Sequence, residues 1–374
     1  MQRDEFLRTL AAAAVATPLS ASNQTYDILV LGDSIAWGQG HLPEERFRKK
    51  LEAQLTPIVG RTAVHKSYAH SGARIGIGDR DEIVAGQSET EKYPCSLDGK
   101  PFPIACGDYG GEVPSATPTI LAQLERSVNE LPPSGGYDLI VVSAGINDVS
   151  ILRFIDPLLA PKIPSLIEKH CHYHLAALLD RIRVTYVEPR RSCLVVVLSY
   201  FPILSTSSEN IPYRKLLEVF LGLTGQNASA VNKGNVVLQR LDMAGPRGHS
   251  SRSGMVAAAL DFWTRSQDAV KAAVDQANRH PFGPNFVHAR PLFTEENALF
   301  APTPWLFNVD DDGAALDPAR ADRATLCEQV YKDGGFGQRF CKVGSIAHPN
   351  AAGAAEGYLP AIVSAVKSWE SRPR

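Results

Sequence analysis

A chain of 374 residues, 44 % hydrophobic and 21 % charged, has ample material for a packed core and lacks the composition of a disordered protein. Its formal net charge of -2, with both signs mixed along the chain and no long basic run, excludes a surface built for nucleic acid. No apolar run reaches the length that a transmembrane segment requires.

The first elements are an address. Arg3 and Arg8 precede an alanine-rich apolar stretch from Thr9 to Leu19, and small residues Ser20, Ala21 and Ser22 follow. That order predicts a secretory signal peptide over residues 1–22, and with it a secreted or periplasmic protein. The run Arg3-Asp4-Glu5-Phe6-Leu7-Arg8 resembles a twin-arginine signal in degenerate form, with Asp4 where the second arginine belongs.

Tyr26 to Leu31 is a short β-branched run ending at Gly32 and predicts a buried strand. Helical spacing follows from Glu44 to Leu55, with Phe47, Leu51 and Leu55 on one face, and then a second strand from Thr62 to Tyr68. Residues 76–116, rich in Gly, Pro and charge, read as a surface insertion. A helix from Pro118 to Leu131, with Thr117 as its cap, leads to a third strand at Asp138–Ser143. Helical pattern resumes from Ser165 to Val184, a fourth strand spans Leu194–Ser199, and residues 205–254 break the rhythm as a second insertion. A helix from Met255 to His280, a fifth strand at Asn285–Ala289 and a closing helix from Asn350 to Trp369 complete the order. Apolar strands alternating with helices predict a parallel sheet covered on both faces, in one decorated domain over residues 26–374.

Ligands of such sheets bind beyond the carboxyl ends of the strands, so the residues there carry the functional argument. Gly32-Asp33-Ser34 follows strand one and presents a serine on a strand-to-helix turn. His70-Ser71-Gly72 follows strand two, and Gly72 lets a backbone N–H approach a substrate oxygen closely. Gly145-Ile146-Asn147-Asp148 follows strand three, where Asn147 offers an amide donor. Ala347-His348-Pro349-Asn350 stands just before the closing helix and supplies the base that a serine hydroxyl needs.

In order and placement these four blocks resemble the SGNH (GDSL) hydrolase family over nearly the whole chain from Tyr26, apart from the insertions. The resemblance implies a flavodoxin-like three-layer α/β/α sandwich on a five-stranded parallel sheet. It implies Ser34 as the nucleophile of a secreted ester hydrolase, His348 as general base, and an oxyanion hole made of the Ser34 N–H, the Gly72 N–H and the Asn147 side chain. It implies no cofactor and no metal. The family usually carries Asp three residues before the His, and this chain has Ser345 there. Either Ser34 and His348 act as a dyad, with a main-chain carbonyl near Ser345 orienting the ring, or an acid arrives from elsewhere. Asp310, Asp311, Asp312 and Asp317 are the candidates near in sequence.

The substrate is expected to be a small-molecule or lipid-like ester. A hydrophobic lid is one reading of Leu216–Leu221 and buried core the other. An acyltransferase, or a catalytically silent binding protein that kept the site's shape, are the alternatives. Gly248-His249-Ser250-Ser251-Arg252 begins like a nucleophile elbow but ends in Arg without a preceding strand, so it is set aside. His170 and His174 share a helix face without the carboxylate of a zinc motif and read as an ordinary helix surface. Of six cysteines, Cys95 with Cys106 and Cys327 with Cys341 are spaced to close short loops as disulfides or to stay free thiols.

Overall fold

The computed structural model describes residues 25–77, 96–97, 100–101, 111–112, 119–150, 160–208, 248–281, 284–309, 315–330, 338 and 341–372. The signal segment, Cys95 and Cys106, Asp310 to Asp312, the Leu216–Leu221 stretch and most of both insertions lie outside them.

Five strands form one all-parallel sheet: β1 (Tyr26–Gly32), β2 (Ala63–Ser67), β3 (Leu139–Ser143), β4 (Leu194–Leu198) and β5 (Phe286–Ala289), in the order β2-β1-β3-β4-β5. The three inner strands are buried at every position, as continuous Ile, Leu and Val runs require when helices cover both faces. The edge strand β2 alternates buried and open positions, because its sequence AVHKS must present Val64 and Lys66 to solvent. A separate antiparallel pair joins Ser96–Leu97 to Lys100–Pro101.

On one face α2 (Phe47–Val59) packs against the closing helix α8 (Leu359–Glu370). On the other lie α3 (Ile120–Val128), the helical stretch 163–187 (α5) and the long α6 (Gly248–Ala277). The Ser127 and Tyr186 hydroxyls, 2.7 Å apart, join α3 to α5. These layers make the expected three-layer α/β/α sandwich in flavodoxin-like strand order.

Several predicted boundaries shift for local reasons. The first long helix starts at Phe47, because Pro43–Glu45 forms a separate 3₁₀ turn and Arg46 is extended. Thr119, not Thr117, caps α3, its hydroxyl accepting from the Ala122 N–H at 3.2 Å. The helix predicted from Met255 begins at Gly248 among the described residues, so Gly248 to Arg252 lie in its first turns.

Register sets the site. Gly32 of β1 lies opposite Ser143 of β3, so the turns leaving these two strands emerge side by side at the carboxyl edge. Strand order reverses between β1 and β3, the place where an open α/β sheet leaves a crevice.

Candidate active site

Ser34 opens α1 (Ser34–Trp37), a single helical turn capped by Asp33. Oδ1 of Asp33 accepts from the Ile35 N–H at 3.0 Å and from the Ser143 hydroxyl at 2.8 Å. Its other oxygen accepts from the Tyr200 hydroxyl at 3.0 Å, and the Tyr200 oxygen in turn accepts from the Ile146 N–H at 2.9 Å. All of these groups are buried, and burial raises the pKa of both Asp33 and Tyr200. The network ties the turn after β1 to the turn after β3, which begins α4 (Ile146–Val149).

Asn147 sits on α4 and donates from Nδ2 to the Ala73 carbonyl at 3.0 Å. Beside it, the Asp148 carboxylate accepts from the Ile75 N–H, at 3.2 Å to the nearer oxygen. Gly72 lies in the turn so gripped, at φ +79°, a conformation that favours glycine. Below that turn, buried Glu112 accepts from the Ser71 N–H at 2.6 Å and faces His70 Nδ1 at 3.4 Å.

His348 reaches Ser34 from outside the sheet. Its Nε2 lies 2.7 Å from Ser34 Oγ, and its Nδ1 lies 3.3 Å from the Ile346 carbonyl. The Ala347 N–H donates to the Phe307 carbonyl at 3.0 Å, and the Phe307 N–H to the His348 carbonyl at 2.8 Å. This pairing fixes Ala347 at φ +64°, a strained value for a residue with a Cβ. Gly40 makes the approach feasible: a Cβ there would stand 2.5 Å from the Phe307 ring and 3.0 Å from the Ser345 side chain. His348 touches solvent but lies deep among protein atoms, so its imidazolium is poorly solvated. Burial pushes its pKa down to about 4, against smaller upward pulls from the Ile346 and Ser345 carbonyls.

The Ser345 hydroxyl does not orient the imidazole. It donates to Asp317 and accepts from Arg323 Nη2 at 3.2 Å. Asp317 makes a bidentate pair with Arg323 (2.7 and 2.6 Å), and both side chains are fully buried. Among the described residues no carboxylate is hydrogen-bonded to His348. The ring's contact is main-chain, at Ile346 and Ser345, close to where the dyad alternative locates it.

His170 and His174 stand one turn apart with Nδ1 atoms 3.1 Å from each other, and Asp148 lies 3.9 Å from His170. The described residues hold no group of three or more His, Cys, Asp or Glu arranged to take a metal ion. Cys327 and Cys341 form a disulfide, whereas Cys171 and Cys193 are buried free thiols. Among the described residues no helix is long and apolar enough to cross a membrane.

Tyr200, Glu112, Arg323 and the role of the Asp33 carboxylate escaped the sequence reading, and Asp317 was only one of four candidate acids. Tyr200 had a usable signal, since it stands two residues beyond β4 at the same carboxyl edge. Arg323 had none, because its position in α7 (Arg320–Val330) follows no motif.

No protein-family model and no curated protein matches this chain. Among solved structures it is similar to an extracellular lipase from Streptomyces rimosus, at 18 % identity and a TM-score of 0.45, over 91 % of this chain and 99 % of that one. It is similar to a phospholipase A1 from Streptomyces albidoflavus NA297, at 13 % identity and a TM-score of 0.44, over the same shares. An aryl esterase from M. smegmatis aligns at 14 % identity and a TM-score of 0.34, over 70 % of this chain and 83 % of that one.

Proposed function

We propose that this protein is a secreted serine ester hydrolase of the SGNH type that works through an acyl-enzyme on Ser34. The observation that carries the reading is the 2.7 Å contact between Ser34 Oγ and His348 Nε2 at the switch point of the sheet. A neutral imidazole at that distance can take the hydroxyl proton as Oγ attacks an ester carbonyl. The pKa pushed down to about 4 keeps the ring neutral at working pH. The carbonyl oxygen of the tetrahedral intermediate takes hydrogen bonds from the Ser34 N–H, the Gly72 N–H and Asn147 Nδ2. Asn147 uses one amide hydrogen on Ala73, which leaves its second for the oxyanion. Collapse breaks the ester C–O bond, and His348 returns its proton to the departing alcohol. Water then attacks the acyl-Ser34 carbonyl and gives its proton to His348; collapse breaks the acyl C–Oγ bond, His348 passes the proton to Oγ, and the acid leaves. If an alcohol replaces water, the same acyl-enzyme yields a transferase.

The Cys327–Cys341 disulfide supports an exported protein, because such bonds persist in oxidising compartments. With the signal-like residues 1–22 it supports secretion or a periplasmic location.

The test is hydrolysis of p-nitrophenyl acetate and octanoate by the wild type and by Ser34→Ala. Activity on either ester that disappears in the variant is the expected result. A folded wild type inactive on a broad panel of esters, or an active Ser34→Ala, overturns the reading.

A further inference from the structure

The proposed hydrolase reading leaves its base without the acid that ordinarily orients a catalytic histidine, and Ser345 occupies that acid's usual place. The surroundings of Ser345 show how the structure compensates. Residues 341–348 run through successive tight turns: the Gly344 N–H donates to the Cys341 carbonyl, Ile346 to Val343, and His348 to Ser345, at 3.0 to 3.1 Å. Such turns hold a chain's local shape but not its placement relative to the sheet.

Placement comes from α7. Arg323 donates from Nε and Nη2 to the Lys342 carbonyl at 3.2 and 3.0 Å, and from Nη2 to the Ser345 hydroxyl. Both of its Nη atoms also grip Asp317, whose carboxylate accepts from Ser345. A planar guanidinium with fixed donor directions suits this branched duty, which a lysine ammonium does not match. The same corner touches the nucleophile's side, because the Ala319 N–H donates to the Gly40 carbonyl at 3.3 Å. The Cys327–Cys341 disulfide ties the start of the 341–348 segment to the same helix.

We propose that the buried Asp317–Arg323 pair, bound to Ser345, is the positioning unit for His348 and takes the place of an acid in contact with the imidazole. The pair is internally neutralised, so it fixes where the ring stands rather than stabilising the imidazolium directly. Of the charged side chains acting on the ring, Arg323 pushes its pKa down and Asp317 pulls it up, so the two members of the pair oppose each other.

The proposal rests on the hydrolase reading, and Ser34→Ala separates the two: labelling of Ser34 by a fluorophosphonate and its loss in that variant stand whatever Asp317 does. The measurement is kcat, KM and the acid limb of the rate profile for Ser345→Ala, Asp317→Asn, Arg323→Gln and the double variant Asp317→Asn/Arg323→Gln. Thermal melts identify the variants that fold. Ser345→Ala, which keeps the charge pair, lowers kcat about tenfold with KM and the acid limb unchanged, since small misplacements of a reacting group cost up to ~100-fold. Asp317→Asn lowers kcat ~10- to 100-fold and moves the acid limb to lower pH, as the Arg323 charge acts unopposed. Arg323→Gln moves the limb to higher pH. The double variant restores the wild-type limb and recovers more kcat than either single change.

Two results overturn the proposal. An unchanged kcat in Ser345→Ala removes the link between the pair and His348, even if the charge variants do not fold. A loss of about 10³-fold or more in Asp317→Asn that the double variant does not recover makes Asp317 the acid itself.

Discussion

The two halves of the Ser34–His348 contact are held by different kinds of structure. Ser34 stands at the end of a fully buried strand, on a turn capped by its own neighbour Asp33, with the sheet core directly beneath. His348 stands on a string of turns outside the sheet, held by an isolated bridge between the next residue, Pro349, and Leu306, by a charge pair and by a disulfide. The proposed nucleophile is thus placed by apolar packing and by buried hydrogen bonds from Asp33 to Ser143 of β3 and to Tyr200 just beyond β4. The proposed base is placed outside the sheet, by polar contacts among turns and α7 within residues 306–349. Damage at the serine side should therefore surface first as lost transition-state stabilisation. Damage at the histidine side should appear as misplacement of an otherwise intact base.

The largest effect expected among variants of the supporting residues is at Asn147. Asn147→Ala removes the proposed oxyanion donor and the link to Ala73, so kcat should fall by about 10²- to 10³-fold with KM nearly unchanged. A change in KM alone would mean that Asn147 binds ground-state substrate and that the serine side is not organised as argued. Next is the disulfide. It closes a loop across a sequence separation of 14, so Cys327→Ala with Cys341→Ala should cost about 3 kcal/mol of stability, read by urea unfolding. Under conditions where that variant stays folded, its kcat should fall while the reactivity of Ser34 toward a small phosphonate changes less. Equal loss of both would erase the distinction between the two halves.

A smaller effect is expected at Tyr200. Tyr200→Phe leaves an Asp33 oxygen and the Ile146 N–H without their hydrogen bonds in a buried site, at a cost of about 1–3 kcal/mol in stability. Since the hydroxyl joins the turns bearing Ser34 and Asn147, kcat should fall about tenfold. A variant that is destabilised but fully active would show that the network serves the fold and not the site.

The same contrast explains what the sequence could reveal. The inner strands are legible because burial on both faces demands uninterrupted apolar runs such as Leu139–Val142, which turn residues then end. Of the candidate site, Ser34 and Asn147 are legible because they follow the inner strands β1 and β3, Gly72 because it follows the edge strand β2, and His348 because it precedes the last helix. Helix starts are less so: Glu44 fits the helical pattern, but Pro43 and the extended Arg46 divert it into a separate turn. The Asp317–Arg323–Ser345 cluster is invisible for a deeper reason. Its members are joined across 6 to 28 positions by side-chain geometry, and no period or spacing encodes a bidentate pair. Asp317 could be named only as one of four nearby acids, and its neutralising partner could not be named.

The smallest expected effect is near-constancy, and it tests how deeply the histidine corner is buried. An ordinary histidine is half protonated near pH 6.5, so an exposed base would lose most of its activity by pH 5.5. Here burial pushes His348 down to about 4, and the ring stays neutral as pH falls through 6.5. Initial rates on a p-nitrophenyl ester should change less than about twofold between pH 7 and pH 5.5 and fall only as pH approaches the lowered value. Stability behaves differently over the same window. The unfolded chain binds protons at His348 and at His41, also lowered by burial, from about pH 6.5 downward, and the folded chain does so only at lower pH. The stability these rings contribute is therefore fully present above pH 6.5 and drains away as pH falls toward the folded values. Rates taken within seconds of a pH jump report the base, and rates after long incubation report the fold. An initial-rate midpoint near 6.5 would mean that water reaches the imidazole freely, and the polar frame around Ser345 would then not be the closed structure that holds it.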